Sequence, residues 1–151
     1  SAASDVYKRQ ILICGLPGSG KSTLAKPFAD LIGGIWLNAD HVRTKYNDWD
    51  FSAKGRLRQT LRMCHLADGI VMAGKIAVAD FVCPTQVTRD WFDADYTVWM
   101  DTIKSCEYED TNSMFEPLPD CNYHVAEWFD DTHAQLLEIV KTYMERNRDK
   151  A

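Results

Sequence analysis

Gly15, Gly20, Lys21 and Ser22 stand at the spacing GxxxxGK[ST], inside the stretch GLPGSGKST. The residue types suit one kind of chemistry. Glycines let the backbone fold tightly enough for its N–H groups to converge on phosphate oxygens. A helix that starts at the lysine adds positive potential at the same point. The lysine ammonium reaches the β- and γ-phosphates, and a serine hydroxyl at this spacing ligates Mg²⁺. Gly15, Leu16, Pro17, Gly18, Ser19, Gly20, Lys21, Ser22 and Thr23 are therefore expected to hold the phosphates of a nucleotide, ATP, with Mg²⁺ as the accompanying ion.

Further along, LNADHVR places Asp40 two residues after an apolar run. A carboxylate there suits a base for an acceptor hydroxyl or a holder of metal-bound water; it also suits a helix cap for a turn starting at His41. Arg43 suits an anion clamp, or a partner for Asp40 or another acid. Asp80 ends the run IAVAD, the place of an acid that organises metal or water, and a buried acid there needs a partner. Phe51 reads equally as a stacking surface and as a plain contact. Arg58 and Arg62 share a helix face and read as solvated or salt-bridged. Trp36, Trp49, Trp91, Trp99 and Trp128 read as packing.

These residues need elements to position them. ILIC, Ile11 to Cys14, reads as a buried strand ending in glycine. A helix is expected from Lys21 to about Leu31, kinked or shortened by Pro27 and stopped at Gly33-Gly34. IWLN, Ile35 to Asn38, is a second strand. Ser52 caps a helix reaching about Ala73, with Leu57, Leu61, Cys64, Ala67 and Val71 on its packing face. Lys75 to Val82 is a third strand, broken at Pro84, with a short helix from about Thr85 to Asp93. Tyr96 to Met100 is a fourth strand. Pro117 and Pro119 mark a loop, and a last helix runs from about Asp131 to Arg146, packing through Leu136, Leu137, Ile139, Val140 and Tyr143. Strands alternating with helices predict a mostly parallel sheet in a three-layer α/β/α P-loop NTPase fold, with ligands at the carboxyl ends of the strands.

Composition agrees with one such domain. The chain has 151 residues, 46% of them apolar and 26% charged, within the range of a globular protein of one core. Its formal net charge of -5 argues against coating a nucleic-acid backbone. Five cysteines without CxxC spacing argue for reduced thiols and a cytoplasmic location, and no run approaches the roughly 18 apolar residues of a membrane span. The first ten residues, SAASDVYKRQ, lack a signal-peptide core and resemble a translated sequencing-library adapter. Residues 1–10 are thus expected to be a non-native tail, and 11–151 one kinase domain.

Taken in order, GLPGSGKSTLA, LNADHVR, FSAKGRLRQTLR, DFVCPTQVTRD and MDTIKSCEYED resemble adenylylsulfate kinase over most of residues 11–140. The resemblance implies transfer of the ATP γ-phosphate to the 3′-hydroxyl of adenylylsulfate, with Mg²⁺. It puts Lys21 and Ser22 in the ATP and metal roles, Asp40 at the base position, and Arg43, Phe51 and Arg56 at the acceptor, Phe51 stacking on its adenine. Gln59 stands beside them where the family has asparagine. Other departures are Asn38 for the first acid of the LDGDNVR-type motif, Gly55 for the acid before Arg56, Thr85-Gln86 for a tyrosine–arginine pair, Glu109 for an arginine, and Asp80 for a small residue. The family's lysine-rich lid, which carries a second stacking aromatic, is essentially absent: Phe115-Glu116-Pro117, resembling its YEPP-like turn, follows Asp110 by five residues.

The expected function is that of an ATP-dependent kinase acting on adenylylsulfate or a similar small anionic acceptor. The partners are small nucleotides rather than membrane or nucleic acid, and a homodimer is left open. Two alternatives stand beside it. GLPGSGKST with an NxDxxR-like segment also occurs in polynucleotide 5′-kinase-like proteins, and the missing lid suits a nucleotide-binding module with little transfer.

Overall fold

The computed structural model describes residues 9–127 and 132–150. Trp128 and the expected helix start at Asp131 lie outside the described residues. Five strands form one sheet: β1 (Gln10–Gly15), β2 (Ile35–Asn38), β3 (Ala77–Phe81), β4 (Tyr96–Met100) and β5 (Tyr123–Val125). Their spatial order is β2-β3-β1-β4-β5 and every pairing is parallel. The last residue of the expected tail, Gln10, belongs to the sheet, and Arg9 before it is bonded to β3. Ala77 N donates to Arg9 O, and the buried Gln10 opens β1 and donates to Asp68 Oδ1 at 2.9 Å.

Side chains alternate across the pleat, so β1 feeds two cores. Ile11 and Ile13 pack with Leu24, Phe28, Leu136, Ile139 and Tyr143, from α1 (Lys21–Ile32) and α6 (Thr132–Lys150). Leu12 and Cys14 pack on the other face with Val42, Met63, Ala67 and Phe92. These come from α2 (Ala39–Tyr46), α3 (Ala53–Met72) and α4 (Gln86–Phe92). The result is the three-layer α/β/α arrangement that the alternation of elements predicts.

Several local expectations need correction. The helix α1 is not shortened at Pro27: it continues as one 12-residue element, its face of Leu24, Ala25, Phe28 and Ala29 buried on the sheet. Burial of that face offsets the backbone hydrogen bond that proline removes. The packing face of α3 is Gln59, Thr60, Met63, Cys64 and Ala67, while Leu57 and Leu61 are exposed. Leu137 is likewise exposed on α6. Three short elements carry too little apolar periodicity to be read from sequence: α2, α5 (Glu109–Met114) and β5. In α2 the cap is Asn38, not Asp40: Asn38 Oδ1 accepts from His41 N at 3.0 Å.

Candidate functional site

The stretch Gly15–Thr23 joins the end of β1 to the start of α1, at the carboxyl edge of the sheet. Gly20 caps α1 with φ of 93°, a left-handed conformation that an L side chain resists. Lys21 Nζ donates to Leu16 O at 2.9 Å, arching over the loop. Thr102 Oγ1, from the segment after β4, donates to Ser19 O at 2.7 Å and braces the loop from outside. Gly15, Leu16 and Ser19 are buried beneath the loop, while Pro17, Gly18, Gly20, Lys21, Ser22 and Thr23 line a cavity of about 750 Å³.

The floor of that cavity beside Ser22 is a polar cluster. Asp80 ends up 2% exposed beside its register partner Asn38, itself buried. Asn38 Nδ2 donates to both carboxylate oxygens, at 3.0 and 3.1 Å, and to Ser22 Oγ at 3.0 Å. Ser22 Oγ donates to Asp80 Oδ1 at 3.3 Å, and Trp36 Nε1 donates to Asp80 Oδ2 at 2.5 Å. Burial pushes the Asp80 carboxyl above its usual range, against the hydrogen bonds from Trp36 and Asn38 and the Lys21 charge. Burial also pulls the Lys21 ammonium down, opposed mainly by Asp80. The Cys14 thiol beneath them is pushed by burial to about 11, a neutral group at ordinary pH.

Ser22 Oγ and the Asp80 carboxylate are hard oxygen donors converging on one point. Mg²⁺ takes one or two such protein oxygens and completes its shell with water and phosphate. Among the described residues no cluster of three His, Cys, Asp or Glu could cage a metal. The donor set therefore fits an ion that arrives with the nucleotide.

The same cavity continues past Asp40 to Arg43, Trp49, Phe51, Arg56, Gln59, Tyr108 and Thr111. Asp40 sits exposed in the first turn of α2, and its carboxylate accepts no hydrogen bond among the described residues. The buried Arg43 donates from Nη1 to Asp48 O at 3.0 Å and Asp50 O at 3.2 Å, and its guanidinium lies 4.3 Å from the Phe51 ring centre. Arg56 donates from Nε to Phe51 O at 2.9 Å and from Nη2 to Thr111 Oγ1 at 2.7 Å, with Asp110 at 3.5 Å. Gln59 is buried and donates to Ala39 O at 3.0 Å, so its amide ties α3 to α2 at the edge of the cavity. Of the two readings of Arg58 and Arg62, solvated or salt-bridged, the structure has the second: both bind Asp48, which they hold far below the usual carboxylate range.

Gly55 explains one departure in physical terms. A Cβ there would sit 2.1 Å from Asp50 O, so the loop carrying Trp49 and Phe51 lies directly against α3. The segment after Asp101 is also fastened. The buried Arg89 donates to Pro84 O and Pro117 O, at 3.1 and 3.3 Å, and to Glu116 O. Its guanidinium also lies 5.1 Å from the Phe115 ring centre.

The structure thus gathers Lys21, Ser22, Asp40, Arg43, Phe51, Arg56, Gln59 and Asp80 around one cavity. Sequence reasoning missed Trp49, Tyr108 and Thr111 there. Trp49 reads as packing, yet it is half exposed on the cavity wall, 6.5 Å from Phe51 between ring centres. Its position two residues before Phe51, in the polar run NDWDF, is the signal that could have found it.

A family model described as adenylylsulphate kinase matches residues 8–117. A probable adenylyl-sulfate kinase of Aeropyrum pernix is 33% identical over 86 residues, 53% of this chain and 47% of that protein, so the matched stretch spans about half the length of this curated relative. Among solved structures, the APS kinase CysC of Mycobacterium tuberculosis in complex with AMPPNP and APS superposes with a TM-score of 0.74 at 19% identity, covering 90% of this chain and 97% of that one. A sugar kinase from Janibacter sp. HTCC2649 superposes with a TM-score of 0.71 at 18% identity, covering 96% and 99%. At such identities the superpositions show the shared fold.

Proposed function

This chain belongs to the adenylylsulphate kinase family, a family of ATP-dependent kinases, and from that premise we propose that it transfers the γ-phosphate of ATP to a hydroxyl of a small anionic acceptor, adenylylsulfate first among the candidates. The observation that carries the reading is the continuity of the cavity from Lys21 and Ser22, past Asp40, to Phe51 and Arg56. A donor and an acceptor placed at its two ends meet beside Asp40.

The backbone of the phosphate loop holds the nucleotide, and Lys21 neutralises the β- and γ-oxygens as charge shifts toward the leaving group. Ser22 and Asp80 would hold Mg²⁺, which would supply further charge neutralisation. Asp40 orients the acceptor hydroxyl and takes its proton as the oxygen bonds to the γ-phosphorus; the bond to the β-phosphate oxygen breaks and ADP leaves. Phe51 stacks on a flat ring of the acceptor, while Arg43 and Arg56 supply positive potential along that wall.

The test is purified protein with Mg-ATP and adenylylsulfate, scored for 3′-phosphorylated product, beside a 5′-hydroxyl oligonucleotide and a panel of sugar hydroxyls. We expect product from adenylylsulfate. Turnover only with one of the other acceptors would move the substrate assignment and leave the phosphate site in place. Nucleotide binding with no acceptor found would favour a binding module.

A further inference from the structure

Trp36 lies on β2, two residues before Asn38, and its ring is half buried against the core beneath α1. A packing role explains the ring but leaves its one polar atom unexplained. That atom, Nε1, is directed at Asp80 Oδ2, 2.5 Å away, and the ring is held edge-on to His41 with centres 5.1 Å apart.

The two carboxylate oxygens of Asp80 have different partners. Oδ1 faces Ser22 and Asn38, toward the cavity; Oδ2 faces Trp36 and Asn38. The Asn38 amide straddles both oxygens, so it does not by itself choose between orientations of the carboxylate. The indole N–H addresses one oxygen only. A carboxylate plane turned away from that donor would leave the indole N–H without its acceptor and Oδ2 with Asn38 as its remaining donor, so the observed orientation is favoured.

We propose that Trp36 is a positioning residue of the phosphate site, whose indole N–H pins the Asp80 carboxylate so that Oδ1 faces Ser22. The proposal rests on the reading of Asp80 as the carboxylate on the metal side of the nucleotide. It concerns binding of the Mg-nucleotide and is independent of which acceptor the enzyme uses. Partners of this kind, one shell out from a metal ligand, commonly change metal affinity roughly 10- to 100-fold when removed.

The experiment uses the full chain and needs no turnover. Binding of ADP is measured by calorimetry with and without Mg²⁺, for wild type, Trp36→Phe and Trp36→His. Phenylalanine keeps the apolar ring and loses the donor; histidine keeps an N–H and fills the space less well. We expect Trp36→Phe to weaken the Mg²⁺-dependent part of binding about tenfold, with ADP alone little changed, and Trp36→His to weaken it less. A packing role predicts the reverse order, and that order would overturn the proposal. The indole N–H signals of ¹⁵N-labelled protein give a second readout. The signal missing from Trp36→Phe identifies Trp36, and it is expected to move on addition of Mg-ADP and in Asp80→Asn. A Trp36 signal indifferent to both changes would also sink it. Matching circular dichroism and unfolding midpoints establish that the variants are folded. Wild-type protein whose ADP binding ignores Mg²⁺ would instead refute the metal-side reading of Asp80. An absence of turnover on adenylylsulfate alongside normal Mg-ADP binding would touch only the substrate assignment.

Discussion

The two ends of the cavity are built differently. The phosphate end stands on strand ends and a helix start, with a buried carboxylate hydrogen-bonded by Trp36, Asn38 and Ser22. The acceptor end stands on the loop between α2 and α3 and on the short α5, and its arginines are already engaged with loop carbonyls and Thr111. The first is a rigid frame for a ligand common to many enzymes. The second is a set of surface segments held in register by side-chain clamps, and in the function proposed above it is where an acceptor is selected. Changes at the first should therefore cost catalysis broadly, and changes at the second should act on the acceptor alone.

The largest expected effect separates the two ends cleanly. Lys21→Ala removes the charge that meets the transferring phosphate, and kcat should fall about 10³-fold or more with every acceptor. Near-normal turnover in this variant would break the assignment of the phosphate end. Asp40→Asn comes next. It keeps the shape and loses the base, so kcat should fall about 10²-fold or more while the nucleotide Kd stays as it was. A change in nucleotide affinity instead would move Asp40 to the metal side.

Phe51→Ala should raise the acceptor KM about tenfold through lost ring stacking, leaving the nucleotide KM unchanged; steady-state kinetics in both substrates reads this directly. The smallest effect belongs to Asp48, whose carboxylate accepts from Arg58 and Arg62 while its carbonyl accepts from Arg43. Asp48→Asn should loosen the loop and raise the acceptor KM about threefold. Its folded pKa is depressed, chiefly by the hydrogen bonds from Arg58 and Arg62. The stability it adds is therefore present above the ordinary value of 3.8 and is lost as pH falls below it. Thermal unfolding of wild type and Asp48→Asn across that acid range should converge toward low pH.

The same division governs what could be read in advance. The phosphate loop is a contiguous motif whose chemistry is largely backbone, so spacing alone placed Gly15–Thr23. The strands β1 to β4 were legible because buried parallel strands appear as short apolar runs. Asp80 stood out as an acid ending such a run. By contrast, α5 has few apolar residues to mark a face, and the packing face of α3 is carried partly by Gln59 and Thr60, which a hydrophobic pattern passes over. For the same reason Leu57 and Leu61, which are exposed, were grouped with Cys64, Ala67 and Val71, which do pack on the sheet side.

By itself, then, the sequence determined a parallel α/β domain and a glycine-rich loop between its first strand and first helix, and it offered Lys21, Ser22 and a set of acceptor-side residues as candidates in order. These follow from local periodicity and from a motif whose parts are neighbours in the chain. Only the tertiary structure decided that Asn38 and Asp80 meet as register partners beneath Ser22, that Trp36 is a donor as well as a packing ring, and that Arg56 reaches Thr111. Those contacts join residues far apart in sequence, and their energies depend on burial and on the direction of single hydrogen bonds, which no local pattern of residue types encodes.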